Sequence, residues 1–259
     1  MKKSIVRYVI RQIILTVLST SGIYNYFRRK HRDKVRIMLY HDIISDESDL
    51  QSDYNYNTTI TRSRFAQQVK YICKHYTPIT LNEFIEWKTQ NKKLPHNPVL
   101  FTFDDGHANL YHHAIPILNQ YNIKGVFFIK SNSFGKVEQN YCERFLSYAS
   151  SYKEGRLKYD LFRSSKFEQQ ISLIQLVEKD NIQHNLNKEK YLHLSIDECQ
   201  CLLQNGHSLA SHSVHHYILS SLNDRDSMAE IQQSKQQLEQ LLKIPVSCFA
   251  YPFGDPRHD

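Results

Sequence analysis

Two short motifs supply the residues that could bind a metal ion and move a proton. In the first, the run Val99–Phe103 is apolar or β-branched and ends in two adjacent carboxylates, Asp104 and Asp105, followed by Gly106. Two neighbouring carboxylates are costly to remove from water unless a positive charge neutralises one of them. A divalent cation would do so, and it would keep the pKa of the other carboxylate low enough for that group to act as a base.

The second motif lies about a hundred residues later and contributes imidazoles. His212 and His216 are spaced i and i+4, so that on one helical turn or in a tight loop both rings can reach one ion, as in HExxH sites. One carboxylate and two histidines leave coordination positions open for water and substrate, which a catalytic metal site requires. The two motifs together therefore predict a mononuclear metal site with a base beside it.

Each motif alone has a common structural explanation. Asp-Asp-Gly is most often a turn, and a His-x-x-x-His pair arises by chance in a chain with 14 histidines. The joint context favours chemistry, because each motif ends a predicted strand and active sites of α/β folds lie at the carboxyl ends of strands.

The elements that must position these residues alternate between strands and helices. Capping boxes at Thr80-x-x-Glu83 and Ser195-x-x-Glu198 predict helix starts, and Thr61 is placed to cap a third helix. A long helix is predicted over 224–243, and strands are predicted over 35–43, 99–103, 126–129 and 246–250. This alternation predicts an α/β fold with a parallel sheet.

The positive charge of the chain is concentrated at its N-terminus. Residues 1–36 contain ten Lys/Arg and one acid, Asp33, a net charge of +9, whereas the remainder has a net charge of −2. A nucleic-acid-binding domain would spread its basic residues over a folded face. The distribution therefore argues against nucleic acid as a partner.

The same N-terminal segment, residues 1–34, is predicted to associate with a membrane. Its apolar stretch from Ile13 to Phe27 is interrupted by polar residues and falls short of the roughly 20 residues of a transmembrane span. A signal peptide and a signal anchor stay open, but the sequence favours an interfacial helix with polybasic flanks. Six Lys/Arg follow the apolar stretch and four precede it, which favours the cytoplasmic face for the following domain.

Three motifs, taken in order, resemble the polysaccharide deacetylase family, the NodB-homology domains of carbohydrate esterase family four. Thr102–Gly106 matches the family's first motif, T-F-D-D-G, and His212–His216 matches its second, H-[ST]-x-x-H. Phe249–Gly254 is similar to the third, although the arginine of many members is not evident there. The resemblance covers roughly residues 35–259, opens at the strand Arg36–His41, and implies an irregular (β/α) barrel.

The resemblance assigns a role to each residue of the motifs. Asp104 would be the general base, and Asp105, His212 and His216 would bind a divalent metal, expected to be Zn²⁺. The backbone N–H of Tyr251 would help to stabilise the oxyanion. Members of the family hydrolyse N- or O-acyl groups on sugars, using a metal-activated water. No substrate-binding residue is assigned.

The chain departs from the family pattern after the third motif. Family members continue to a fourth, acidic motif and a fifth, Leu-x-His, whose histidine protonates the leaving amine. Here Asp259 follows Gly254 by five residues, and His258 is too close to the third motif to be that histidine. The resemblance thus leaves the general acid unidentified and predicts that the last strands of the barrel are missing.

The expected function is metal-dependent removal of N-acetyl groups from sugars of a polysaccharide or a lipid-linked glycan precursor. The alternatives are a deformylase or O-acyl esterase acting on a related sugar, and a truncated remnant that binds metal or glycan without turnover. Residues 131–190 carry no family motif and are expected to form a helical insertion in the domain 35–259. His41 is a candidate to line the site. His107, His112 and His113 follow the Asp pair, and most of them are expected at the surface.

Overall fold

The computed structural model describes residues 22–46, 58–149, 155–179 and 188–254. Its main sheet is parallel throughout, with strand order β1-β5-β6-β7, and β4 pairs with the start of β5. A second, two-stranded parallel sheet joins β2 to β3. The strands are β1 (Arg36–Tyr40), β2 (Asp42–Ile44), β3 (Thr59–Thr61), β4 (Thr77–Pro78), β5 (Pro98–Phe103), β6 (Val126–Ile129) and β7 (Ser208–Ser211).

The parallel α/β prediction is confirmed, and the strand sequences explain it. β5 is buried along its whole length, as expected of a central strand covered on both faces by helices. Its aromatic side chains stack on those of its neighbours, with Phe103 lying 4.7 Å from Phe127 and 5.6 Å from Tyr40 between ring centroids. Among the described residues the sheet is open, with β1 and β7 at its edges.

Helices connect the strands and cover the sheet. They begin where the sequence predicts caps: the side chain of Thr61 accepts from the Arg64 N–H, and both capping boxes are formed, at Thr80 and at Ser195. The described helices are α1 (Ile23–Lys30), α2 (Arg62–His75), α3 (Leu81–Gln90), α4 (Ile115–Gln120), α5 (Tyr141–Ala149), α6 (Gly155–Arg163), α7 (Phe167–Lys179), α8 (Lys188–Tyr191), α9 (Ile196–Gln204) and α10 (Asp224–Leu242).

Two predicted strands differ in the structure. The first, predicted over 35–43, is divided into β1 and β2, which belong to different sheets. The strand predicted over 246–250 is reduced to a single parallel bridge between Phe249 and Ser211. Two backbone hydrogen bonds flank this bridge, from Ser211 N–H to the Cys248 carbonyl and from Ala250 N–H to the Ser211 carbonyl, each 3.0 Å long. The segment after α10 is thus held against the end of β7.

Helices α5, α6 and α7 pack around a small core of their own. Tyr141, Phe145 and Phe162 are buried there, and the rings of Phe145 and Phe162 stack at 4.2 Å. The Tyr141 hydroxyl donates to Gln170 Oε1 and accepts from the Ile218 N–H, joining this helical layer to the segment after β7. These helices fall in the region 131–190, and the division of the chain into domains stays a prediction.

The predicted membrane-associating segment lies mostly outside the described residues, which contain only its last part. That part includes α1, whose Tyr26 and Phe27 are exposed and whose last turn carries Arg28, Arg29 and Lys30. No helix in the described ranges combines the length and the apolar character needed to cross a bilayer.

Candidate metal centre

The polar residues of both motifs meet at the carboxyl edge of the parallel sheet. Asp104 and Asp105 follow β5, and His212 follows β7. Lys130 follows β6 between them, and His41 follows β1. Because all four strands run in the same direction, residues distant in sequence are gathered at one end.

Asp105, His212 and His216 bring three ligand atoms to one point. Asp105 Oδ1 lies 2.9 Å from His216 Nε2 and 3.5 Å from His212 Nε2. The three donor atoms all lie within 4.8 Å of one another, and all three residues are buried. The sequence spacing alone could not show that both rings would turn the same nitrogen toward the carboxylate.

Neighbouring groups fix the orientation of the two imidazoles. His212 Nδ1 lies 2.9 Å from the Ala250 carbonyl, so Nδ1 carries the proton and the lone pair of Nε2 is left for a metal. The N–H of His216 donates to Ser213 Oγ at 2.9 Å, and its ring packs edge-on against Phe253 at 4.9 Å. A histidine whose Nδ1 is bound to a carbonyl is the usual arrangement of a metal ligand.

The donor set fits a divalent cation. Asp105 Oδ1 is buried and has no hydrogen-bond partner among the described residues. A buried carboxylate oxygen without a donor is costly unless a positive charge lies beside it. Two histidine nitrogens and one carboxylate are a ligand set typical of catalytic zinc.

The backbone around the candidate ligands is strained at three positions. Asp105, Ser213 and His216 have φ values of 70°, 64° and 61°, in the left-handed region that non-glycine residues rarely adopt, and Gly106 follows at 71°. A Cβ on Gly106 would approach Ile129 to 3.4 Å. Strain of this kind persists where the surrounding structure imposes it, most often at functional sites.

The pKa values of the two carboxyl groups are shifted in opposite directions. Burial raises the pKa of Asp104 above its ordinary value, although the imidazoles of His212 and His41 lower it. Burial also acts to raise the pKa of Asp105, but His216 and His212 beside it outweigh burial and hold that pKa well below its usual range. Asp105 is thus kept ionised, as a ligand must be, while Asp104 has the higher proton affinity of a base.

The pKa values of the two imidazoles, His216 and His212, are also shifted in opposite directions. Burial lowers the pKa of His216 to about 4, so this ring is neutral at physiological pH and has a free lone pair. Burial lowers the pKa of His212 as well, but the adjacent carboxylates Asp105 and Asp104 outweigh it and raise that pKa.

Tyr251 is an exposed residue that follows Ala250, whose carbonyl orients His212. The carbonyl of the Ala250–Tyr251 peptide accepts from His212 Nδ1, and in a trans peptide the N–H points the opposite way. The Tyr251 N–H has no hydrogen-bond partner in the described part of the chain. It is therefore available to an external acceptor, and its role in stabilising the oxyanion stays a prediction.

A family model described as polysaccharide deacetylase matches residues 91–259, which include all three motifs. The chain belongs to the polysaccharide deacetylase family. Its members are hydrolases of sugar acyl groups. A curated relative named for these deacetylases, YxkH of Bacillus subtilis (strain 168), is 22% identical over 222 residues, which are 85% of this chain. The chain spans 57% of the length of YxkH.

Solved structures share the fold. The Streptococcus pyogenes deacetylase PplD, determined in complex with acetate, superposes with a TM-score of 0.58 at 19% identity, over 86% of this chain and 75% of that one. IcaB from Ammonifex degensii gives 0.58 at 21% identity, over 88% and 78%. The alignments confirm the NodB-type architecture that the resemblance implied.

Two buried residues near the metal centre were not expected from the sequence. His107 is buried, contrary to the surface position expected of most histidines after the Asp pair, and its Nε2 lies 3.9 Å from Asp105 Oδ2. Its ring stacks on that of His193 at 5.1 Å. His112, by contrast, is exposed as expected. The second unexpected residue is Lys130, which is buried and belongs to none of the sequence motifs.

Proposed function

We propose that this chain is a metal-dependent hydrolase that removes N-acetyl groups from sugars of a polysaccharide or of a lipid-linked glycan. The observation that carries the proposal is the convergence of Asp105, His212 and His216 beside the raised-pKa carboxyl of Asp104. Membership of the polysaccharide deacetylase family supports the reaction class.

Asp105, His212 and His216 would hold the ion, most simply Zn²⁺. When bound, it would supply Lewis acidity to water and to the acyl carbonyl. The carboxylate of Asp105 and the neutral imidazole of His216 are already in the protonation states that ligands need. The hydrogen bond of His212 to the Ala250 carbonyl keeps Nε2 directed at the centre without rearrangement.

Asp104 would act as the general base. Its N–H donates to the Tyr40 carbonyl at 2.9 Å, which fixes the backbone next to the ligand Asp105. Burial increases its proton affinity, so that it can take a proton from the attacking water more readily than an exposed aspartate. The imidazoles of His212 and His41 oppose this rise, which helps to keep the group ionised before the reaction.

The Tyr251 N–H would stabilise negative charge on the acyl oxygen. A backbone donor held by the rigid pairing of Ala250 with Ser211 needs no reorganisation when that charge develops. The role follows from the third motif and from the unpaired state of this N–H among the described residues.

The test is acetate release from a chito-oligosaccharide by the zinc-loaded chain, with Asp104→Asn as the matched variant. Asparagine keeps the size of the side chain and leaves all three ligands in place. We expect this variant to bind zinc as the wild-type chain does and to lose roughly 10²–10⁴-fold in turnover. Turnover retained in the variant would show that the base lies elsewhere.

A further inference from the structure

Lys130 is a buried cation beside the metal centre. It follows β6, and the residue is only 2% exposed. No hydrogen bond or ion pair joins its ammonium to any residue that the structure describes, although its backbone carbonyl accepts from Ser133 Oγ. Buried charges in proteins are normally paired, because their desolvation is costly. An unpaired lysine at this depth therefore indicates a site for an anion that is supplied from outside.

Lys130 lines a small polar pocket of about 90 Å³. That volume holds a carboxylate or phosphate group, since one water occupies roughly 30 Å³ of liquid. Arg144 adds a second positive charge to the wall, and Glu138 adds one negative charge. His215, also in the wall, is bonded to Glu230 at 2.5 Å, and Glu230 also accepts from the Val214 and His215 N–H groups.

Glu143 is a further acid, and its charge interacts with that of Lys130. Burial raises the pKa of Glu143 to about 7, even though the field of Lys130 lowers it. Its carboxyl oxygen also accepts from the Asn140 N–H at 2.8 Å. Among the residues that line the pocket, Lys130 and Arg144 are basic and Glu138 is acidic.

The pocket adjoins the metal centre through the backbone. The carbonyl of Ile129, next to Lys130, accepts from the His212 N–H at 3.0 Å, and the Ser131 N–H donates to the Ser213 carbonyl at 3.2 Å. The pocket wall includes His215, the immediate neighbour of the ligand His216. A group bound at Lys130 would thus lie next to the sugar held at the proposed metal centre.

We propose that Lys130 and this pocket bind an anionic group of the glycan, a carboxylate or a phosphate, next to the sugar that is deacetylated. The inference rests on the proposed function, because it extends the same site from an N-acetylated sugar to an acidic polymer or sugar phosphate.

The test is equilibrium binding to the zinc-loaded full-length chain carrying Asp104→Asn, which prevents consumption of the ligand. Three probes are compared at low salt: a neutral chito-oligosaccharide, an oligosaccharide alternating N-acetylglucosamine with glucuronate, and an N-acetylglucosamine oligomer linked by phosphodiesters. We expect one acidic probe to bind about tenfold or more tighter than the neutral one, the size of a charge-assisted hydrogen bond.

Adding Lys130→Met should bring the ratio of acidic to neutral affinity to near one, and Lys130→Arg should restore much of it. Lys93→Met is the control, because Lys93 is an exposed lysine on the loop before β5, at the opposite edge of the sheet. The glucuronate and phosphate probes distinguish the two sources of the anion. Thermal unfolding of each variant shows whether it is folded.

Equal binding of all three probes, or a preference that Lys130→Met leaves intact while Lys130→Arg is folded, would overturn the proposal. Failure of the proposed function is seen separately, as absence of acetate release by the zinc-loaded wild-type chain. Lys130-dependent preference for an acidic probe without any turnover would support the binding site and count against the hydrolase alone.

Discussion

At the scale of single residues, the two histidine ligands are held differently. His212 is oriented through its ring, by the Ala250 carbonyl, whereas His216 is oriented through its backbone and by packing against Phe253. The His216 Nδ1 is buried and has no hydrogen-bond partner among the described residues. Both rings nevertheless place Nε2 near the same oxygen of Asp105, and each would contribute one bond to the proposed metal.

Replacing either ligand, His212→Ala or His216→Ala, should abolish stoichiometric zinc binding. Loss of a ligand should exceed the roughly 10–100-fold loss in affinity typical of outer-shell partners. His215→Ala is the matched control, since His215 is exposed and its loss leaves the Glu230 bonds to the Val214 and His215 N–H groups. Zinc content, measured by mass spectrometry after dialysis, tests this prediction. An unchanged zinc content in His212→Ala or His216→Ala would contradict the assignment.

At the scale of elements, features determined by a few consecutive residues were predictable. The caps at Thr80 and Ser195 are satisfied within four residues, so their signal is complete in the local sequence. The burial of His107 was not predictable, because it depends on His193 and on a backbone bond from Ala108 to Leu192, far along the chain. The strand predicted at 246–250 failed for a similar reason, since a strand needs a partner along its length and only Phe249 pairs.

The roles of the site residues are less predictable than their identities. Spacing brought Asp105, His212 and His216 forward as candidates, and the structure gathers them at one point. The burial of Lys130 could not be predicted from sequence spacing, because it depends on the packing of β6 between two other strands. The ligand roles of the three residues stay predictions until metal binding is measured.

His207 links the start of β7 to the start of β6 and makes stability depend on pH. Its Nδ1 accepts from the Gly125 N–H at 3.0 Å, and burial lowers its pKa to about 4. The unfolded chain takes up this proton near pH 6.5, before the folded chain does, so stability is lost as pH falls from about 6.5 to about 4. We expect this residue to account for at most about 2 kcal/mol of the loss at pH 5.

The variant His207→Asn tests this, because its amide oxygen can accept the same hydrogen bond without titrating. Urea unfolding at pH 7.5 and pH 5 should show a smaller drop in the free energy of unfolding for the variant than for the wild-type chain. Equal drops in both would assign the acid sensitivity to other groups.

At the scale of the whole molecule, charge and exposed apolar surface coincide at the N-terminus. In α1, Ile23, Tyr24, Tyr26 and Phe27 are each at least 38% exposed, and the last turn is basic. Exposed aromatic residues beside a basic cluster are typical of helices that lie in a membrane interface. We propose that this segment brings the hydrolase to an anionic membrane surface.

The full chain should therefore co-sediment with vesicles that contain phosphatidylserine and not with neutral vesicles. Replacing Arg28, Arg29 and Lys30 by Gln should weaken binding by about 100-fold at low salt, at roughly 1 kcal/mol per basic residue. The control replaces three exposed lysines elsewhere, Lys70, Lys88 and Lys93, by Gln. If both triple variants bind alike, the N-terminal cluster is not the membrane contact.

The separation of the metal-binding residues along the chain has a consequence for the timing of assembly. Asp105 and His212 are more than 100 residues apart, and parallel strands must pair before they meet. Such non-local contacts form late in folding, because closing a long loop costs entropy before any contact rewards it. A partly folded chain would hold a carboxylate without its imidazoles, so tight zinc uptake would mark completed folding. The proposed zinc would also link distant segments of the chain. In a cell short of zinc, the chain would lose this link as well as the proposed hydrolysis.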